Sequence, residues 1–301
     1  MEPTVAPVAA TLGAVVTELA LARMDPSTWK TVEAAFHEYA VLVFPGQHLT
    51  EEEQVAFAHR FGDIELLAPD PAQRAVPISN QKPDGTIMGA DEHRFKSLRG
   101  NEGWHTDSSY MPLAAKASVL SAQVVPSAAG ETEWADMRAA YDALDEATRR
   151  RIAGLSAHHS LYHSQAKIGH VVQPAAGYGF HTKGAPLRPL VKIHPVTGRP
   201  ALFIGRHAHA IPGLDEAESE QLLSDLVDFA CRPPRTYAHR WQPGDVVIWD
   251  NRCVLHRARP YDYSEARVMR HTRVAGDPAT ELAPTDRDER AGAYEPSSSN
   301  R

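Results

Sequence analysis

The sequence predicts one mainly β domain, a β-sandwich or jelly-roll core with helices packed on its outside. Three observations predict it. Short apolar, strand-like runs recur from the middle of the chain to its end. Helical patterns are grouped early and between those runs. No repeat and no linker divides the middle.

Asp25-Pro26 opens the first helix, with Trp29, Val32, Phe36 and Tyr39 at helical spacing behind it. Ala40-Val-Leu-Val-Phe44, stopped by Pro45-Gly46, is a buried strand. Thr50-Glu-Glu-Glu53 is a capping box for a second helix that ends at Gly62. Residues 67–101, rich in Pro, Gly and charge, read as long loops around a short strand at 76–80. Val119–Val125 is a strand, and Asp136–Gly154 a helix with a basic last turn at Arg149–Arg151 that complements its dipole. His158–Gly184 reads as a loop. Pro189–His194 and Pro200–Gly205 pair about the turn Val196–Arg199. Asp215–Ala230 is an amphipathic helix, and strands follow at Thr236–Trp241, Asp245–Trp249 and Val268–Ala275. One domain thus spans 1–276. Residues 277–301 form a polar tail without periodicity, expected to be disordered.

Composition bounds the function. A chain of 301 residues can bury a large core, and 43% hydrophobic with 23% charged residues is ordinary for a globular protein. A net charge of −7 argues against a nucleic-acid-binding face. It leaves room for a locally basic pocket that takes a small anionic organic substrate. Two cysteines imply no disulfide framework, so a reducing cytoplasm is the expected compartment. The start has no signal-peptide pattern, and no run of 18 apolar residues offers a membrane span. Assembly into homo-oligomers is left open.

The chemistry is carried by His105-Thr-Asp107 and His256. With 16 His in 301 residues, a bare His-x-Asp pair turns up about once by chance. The pair gains meaning from context. Side chains at i and i+2 of a strand share a side, so both can reach one ion. His256 follows the strand-like run Asp245–Trp249, and the basic stretch Arg267–Arg273 comes next. Two imidazoles and one carboxylate on one face of an ion are the donor set of non-heme Fe(II) oxygenases, with positions left for a chelating co-substrate and O2. Two His and one carboxylate also suit a zinc hydrolase, which stays as an alternative.

In order, Trp104-His105-Thr-Asp107-Ser108, Gly130-Glu-Thr132-Glu-Trp-Ala-Asp136-Met137, Gly244-Asp-Val-Val-Ile-Trp-Asp-Asn-Arg252 with His256, and Arg267-Val-Met269 resemble the taurine/2,4-dichlorophenoxyacetate dioxygenase family. The similarity runs from about Val8 to Gly276 and is strongest toward the aryloxyalkanoate dioxygenases. It implies a double-stranded β-helix, Fe(II), 2-oxoglutarate as co-substrate, and hydroxylation next to an ether oxygen that frees a phenol and an oxo acid. His105, Asp107 and His256 match the iron ligands, and Thr132 a residue that binds a 2-oxoglutarate carboxylate.

The family pattern Arg-x-x-x-Arg is broken here. Arg267 fits its first position, and His271 stands where the second arginine is expected. Strand parity puts Arg267, His271 and Arg273 on one face and Arg270 on the other. A guanidinium can grip a carboxylate through two parallel bonds, so Arg273 is favoured for the co-substrate with Arg267 close behind, and which of the two holds 2-oxoglutarate and which the substrate carboxylate stays open. Asn101, Lys82, Ser164, Arg206 and His209 are candidate substrate residues, each with an ordinary loop or strand-end role as its competitor. The other histidines, including His158, His159, His163 and His170, read as loop residues. A sulfonate or alkyl-sulfate dioxygenase, or a tailoring hydroxylase of the same family, is the nearest alternative. A non-catalytic binding module is the remoter one.

Overall fold

The computed structural model describes residues 2–170, 172 and 177–286. Its centre is a seven-stranded sheet in the order Thr4–Pro7, Ala14–Thr17, Val41–Phe44, Val246–Asp250, Ala115–Val124, Val268–Ala275, Val76–Ser79. A second sheet orders Thr236–His239, Thr132–Asp136 and Val254–Ala258. Pairing is antiparallel within both, save where Ala14–Thr17 meets Val41–Phe44. Packed face to face, the two sheets make the jelly roll, with helices outside.

The run Val41-Leu-Val-Phe44 shows why the large sheet is buried on both faces. Alternate side chains of a strand point to opposite sides. Leu42 and Phe44, with Val246 and Ile248, pack under the helices Pro26–Tyr39 and Glu51–His59. Val41 and Val43, with Val247 and Trp249, enter the sandwich interior with Trp134 and Leu255 of the small sheet. The helix caps hold as the residue types require. Asp25 accepts from the backbone N–H groups of Ser27 and Thr28. Thr50 with Glu53 and Asp215 with Glu218 form capping boxes.

Several expectations change. Residues 67–101, expected as loops around one short strand, also hold the helix His93–Arg99. The helix expected over Asp136–Gly154 is two, Met137–Ala143 and Glu146–Ile152, because Asp145 caps a new start with its carboxylate on the Thr148 N–H. The loop expected from His158 contains the end of the strand Ser156–His159 and the helix Leu161–Ala166. The tail is built in as far as residue 286. Glu281 is 1% exposed and pairs with Lys192, and Thr285–Asp286 pairs with Ala185–Pro186. Residues 287–301 lie outside the described residues. Finally, the strand Val254–Ala258, which carries His256, was not foreseen. No helix among the described residues is long and apolar enough to cross a membrane.

Candidate active site

The three expected metal ligands converge. One ligand atom from each of His105, Asp107 and His256 lies within 4.8 Å of the others, and all three residues are buried. Backbone pairing brings the two histidines together. The His105 N–H donates to the His256 carbonyl at 3.0 Å, and the His256 N–H returns the bond at 2.7 Å. Asp107 does not sit on a strand with His105, as parity assumed. His105 makes an isolated bridge, and the chain turns at once behind it. The turn is held by Asn251, whose side-chain oxygen accepts from the Asp107 N–H at 3.3 Å and the Trp249 indole at 2.9 Å. Gly205 closes the other side. Its φ is +119°, and an added Cβ would lie 3.0 Å from the Trp104 carbonyl oxygen and 3.3 Å from the His105 Cα.

The donor set fits a divalent ion. His105 donates Nδ1–H to the Gly103 carbonyl at 2.8 Å, so its Nε2 carries the free lone pair. Burial pushes His105 well below the usual histidine range and His256 down to about 4, so both rings are neutral ligands at neutral pH. Burial alone would raise Asp107. The positive charge of Arg273, with smaller contributions from the histidines around it, outweighs burial and holds it well below the usual carboxylate range. Ser118 Oγ donates to Asp107 Oδ2 at 2.6 Å, and Asn251 Nδ2 donates to Ser118 Oγ at 2.9 Å.

The remaining site residues divide. Thr132 is buried at the start of its strand, and its hydroxyl oxygen accepts from the Trp241 indole at 3.0 Å, which leaves its proton for another acceptor. Arg267 donates from Nε to the Gly130 carbonyl at 3.2 Å, two residues from Thr132. It is buried and has no carboxylate partner among the described residues. Arg273 is committed elsewhere, with Nη2 2.7 Å from Asp107 Oδ1 and Nη1 2.9 Å from Ser108 Oγ. Arg273 is thus already paired with a carboxylate, whereas Arg267 is not. Within the strand Val268–Ala275 parity holds, since Arg270 leaves the site for the Leu49 carbonyl and the Gln123 side chain, whereas Arg267 lies beyond a register shift at Val268–Met269. His271 lies against Asp107, Nε2 to Oδ2 3.7 Å, stacked on Trp249.

Lys82 is not brought to the site. It reaches solvent and pairs with Glu92 at 2.8 Å. Asn101 is half-buried in the short turn before Trp104. Ser164, Arg206 and His209 share a cavity of about 790 Å³ with Phe95, Trp104 and Ile168, whose lining includes none of the three triad side chains. His209 stacks on His163 instead. Arg206, in the wall beside His105, donates to the carbonyls of Gly100 and Ser164. Burial pushes it down to about 10, and it has no carboxylate partner among the described residues.

Sequence reasoning missed His207, which sets its ring edge-on to His105 and takes its Nδ1 contact from Ser164 Oγ at 2.8 Å. Glu65 and Ser118 were also missed. Nothing in the local pattern marked these three.

A second cluster, His37, His194 and Asp250, has the spacing of a metal site but not its chemistry. His194 Nδ1 accepts the N–H groups of Val196 and Thr197, so Nε2 carries the proton it donates to Asp250 at 3.0 Å. Arg252 already neutralises Asp250 through bonds of 2.8 and 2.6 Å. This is a structural ion pair.

The buried imidazoles set an acid limit on stability. His256 and His271 are pushed from 6.5 down to about 4, chiefly by burial. Once unfolded, the same rings take up protons near 6.5. Their contribution is therefore complete above that value and is lost as pH falls from 6.5 toward 4. Denaturant melts of the metal-free protein at pH 7.5 and 5 should show a loss of a few kcal/mol. An unchanged midpoint would contradict the burial of both rings.

The sequence profile described as taurine catabolism dioxygenase TauD, TfdA family matches residues 4–274. The chain is 56% identical over 285 residues to the (S)-phenoxypropionate/alpha-ketoglutarate-dioxygenase of Sphingobium herbicidovorans, covering 93% of this chain and 97% of the relative. It is 54% identical over 286 residues to the enzyme of the same name from Delftia acidovorans, with the same coverage. Among solved structures, AAD-2 in complex with Mn(II) and N-oxalylglycine superposes with a TM-score of 0.85 at 37% identity, over 96% of this chain and all of that one.

Proposed function

The chain belongs to the taurine catabolism dioxygenase TauD, TfdA family and is an Fe(II)- and 2-oxoglutarate-dependent dioxygenase, and we propose that its substrates are aryloxyalkanoates, phenoxypropionates before phenoxyacetates. The observation that carries the dioxygenase part of this reading is the buried His105–Asp107–His256 set, with neutral imidazoles and an ionised carboxylate, and the substrate class rests on the two phenoxypropionate dioxygenases that the chain resembles. These relatives do not favour the sulfate-ester or zinc-hydrolase alternatives.

His105, Asp107 and His256 would hold Fe(II), which with 2-oxoglutarate and O2 supplies the oxidation of one substrate C–H bond and releases succinate and CO2. Arg267 would grip the distal carboxylate of 2-oxoglutarate, and the Thr132 hydroxyl would donate to it. Arg206 would bind the carboxylate of the substrate, and Asn101 would orient it. Lys82, already paired with Glu92 in solvent, is the poorer candidate. Hydroxylation at the carbon bearing the ether oxygen gives a hemiketal or hemiacetal, which collapses to a phenol and an oxo acid. Two free cysteines support a reducing, cytoplasmic setting.

The test is a panel of (S)- and (R)-phenoxypropionates, phenoxyacetates, alkyl sulfates and taurine, assayed with Fe(II), ascorbate and 2-oxoglutarate. Succinate and free phenol should appear in equal amounts with an aryloxyalkanoate. Succinate formation greatest with a sulfate or sulfonate would overturn the substrate class.

A further inference from the structure

Resting on the assignment of His105, Asp107 and His256 as the metal-holding set, we infer that Arg273 is a positioning residue: it fixes which oxygen of Asp107 meets the ion, and so keeps the face opposite the triad open for the co-substrate. The two oxygens of Asp107 stand in different surroundings. Oδ1 is turned into the guanidinium of Arg273 at 2.7 Å. Oδ2 faces the imidazoles, 3.7 Å from His256 Nε2 and 3.7 Å from His271 Nε2, and is steadied by Ser118 at 2.6 Å.

The guanidinium is held in turn. Nη1 donates to Ser108 Oγ at 2.9 Å, Nε lies 3.9 Å from a Glu65 carboxylate oxygen, and the ring of Tyr178 lies 5.5 Å from its carbon. Glu65 accepts from Ser108 and Tyr178, so the frame around Arg273 is itself anchored. Partners behind a ligand set its orientation as firmly as the ligand bond does. A carboxylate released from this clamp can turn both oxygens to the ion. The freed oxygen then competes with an incoming chelator for the open face.

Binding to the Mn(II)-loaded protein, followed by calorimetry, tests this without turnover. Two chelators are compared: 2-oxoglutarate, and oxalate, which lacks the distal carboxylate. Arg273→Gln should weaken both by about tenfold or more. Arg273→Lys keeps the charge with a single donor point and should fall between, and it carries the test if the glutamine variant does not fold. Arg267→Gln should weaken 2-oxoglutarate and leave oxalate unchanged. If Arg273→Gln loses only 2-oxoglutarate, Arg273 holds the tail of the co-substrate and the inference is wrong. Wild-type affinity for both would reduce Arg273 to a packing contact. Asp107→Ala separates the layers: Mn(II) binding retained there would sink the metal assignment itself, whereas the oxalate comparison sinks only the role of Arg273.

Discussion

Asp107→Ala should abolish Fe(II)-dependent succinate formation and destabilise the protein in the same stroke. The two losses have different origins. Turnover falls because one of three ligands is gone. Removing a group behind a ligand commonly costs 10- to 100-fold, so losing the ligand itself should exceed about 100-fold. Stability falls because Arg273, buried and pushed upward by the charge of Asp107, keeps Glu65 at 3.9 Å as its one remaining counter-charge among the described residues. Removing one member of a buried pair costs about 3–5 kcal/mol, and Glu65 places this case toward the lower end. His105→Ala makes the control. It should also silence the enzyme, but it strands no charge, so metal-free melts should show a smaller loss. Equal destabilisation by the two variants would contradict the account of Arg273.

The second large effect is on stability alone. Asp250 is fully buried and takes four hydrogen bonds: from the Arg252 Nε, Nη2 and backbone N–H at 2.8, 2.6 and 3.0 Å, and from His194 at 3.0 Å. Burial would raise its pKa, yet Arg252 and His194 hold it well below the carboxylate range. Asp250→Ala leaves Arg252 buried without its partner and should cost about 3–5 kcal/mol, roughly 5–8 °C in Tm for a chain of this length. Mn(II) binding at neutral pH should stay at one ion per chain, because this cluster holds no metal. A drop below about 1 kcal/mol would show that Arg252 finds another acceptor. A lost ion would show that the cluster ligates after all.

How much of this was legible in the sequence depends on whether a feature is local. The caps at Asp25, Thr50 and Asp215 were readable because the acceptor and its N–H partners lie within three residues. The strand Val41–Phe44 was readable from four apolar residues in a row. The donor set was readable from residue types in order, though its geometry was not. Asp107 owes its place to a turn held by Asn251, not to strand parity with His105. The strand Val254–Ala258 escaped because His256 and Arg257 interrupt its apolar pattern, and its order comes from pairing with Thr132–Asp136. The different partners of Arg267 and Arg273 were illegible for the same reason. Parity placed both on one face, but only the fold shows that one meets a carboxylate and the other a carbonyl. The ordered segment up to residue 286 has no periodicity of its own and is recruited by Lys192 and by the edge of Ala185–Pro189.

The reciprocal backbone bonds between His105 and His256 tie together two stretches made far apart in time during synthesis. A chain still emerging from the ribosome owns the first imidazole and its carboxylate long before the last imidazole exists. A ferrous ion captured at that stage would sit in a loose two-point grip, open to oxygen and with no substrate to consume the oxidant. Because the set closes through a contact between early and late segments, the full three-point grip has to wait until the strand carrying His256 has paired.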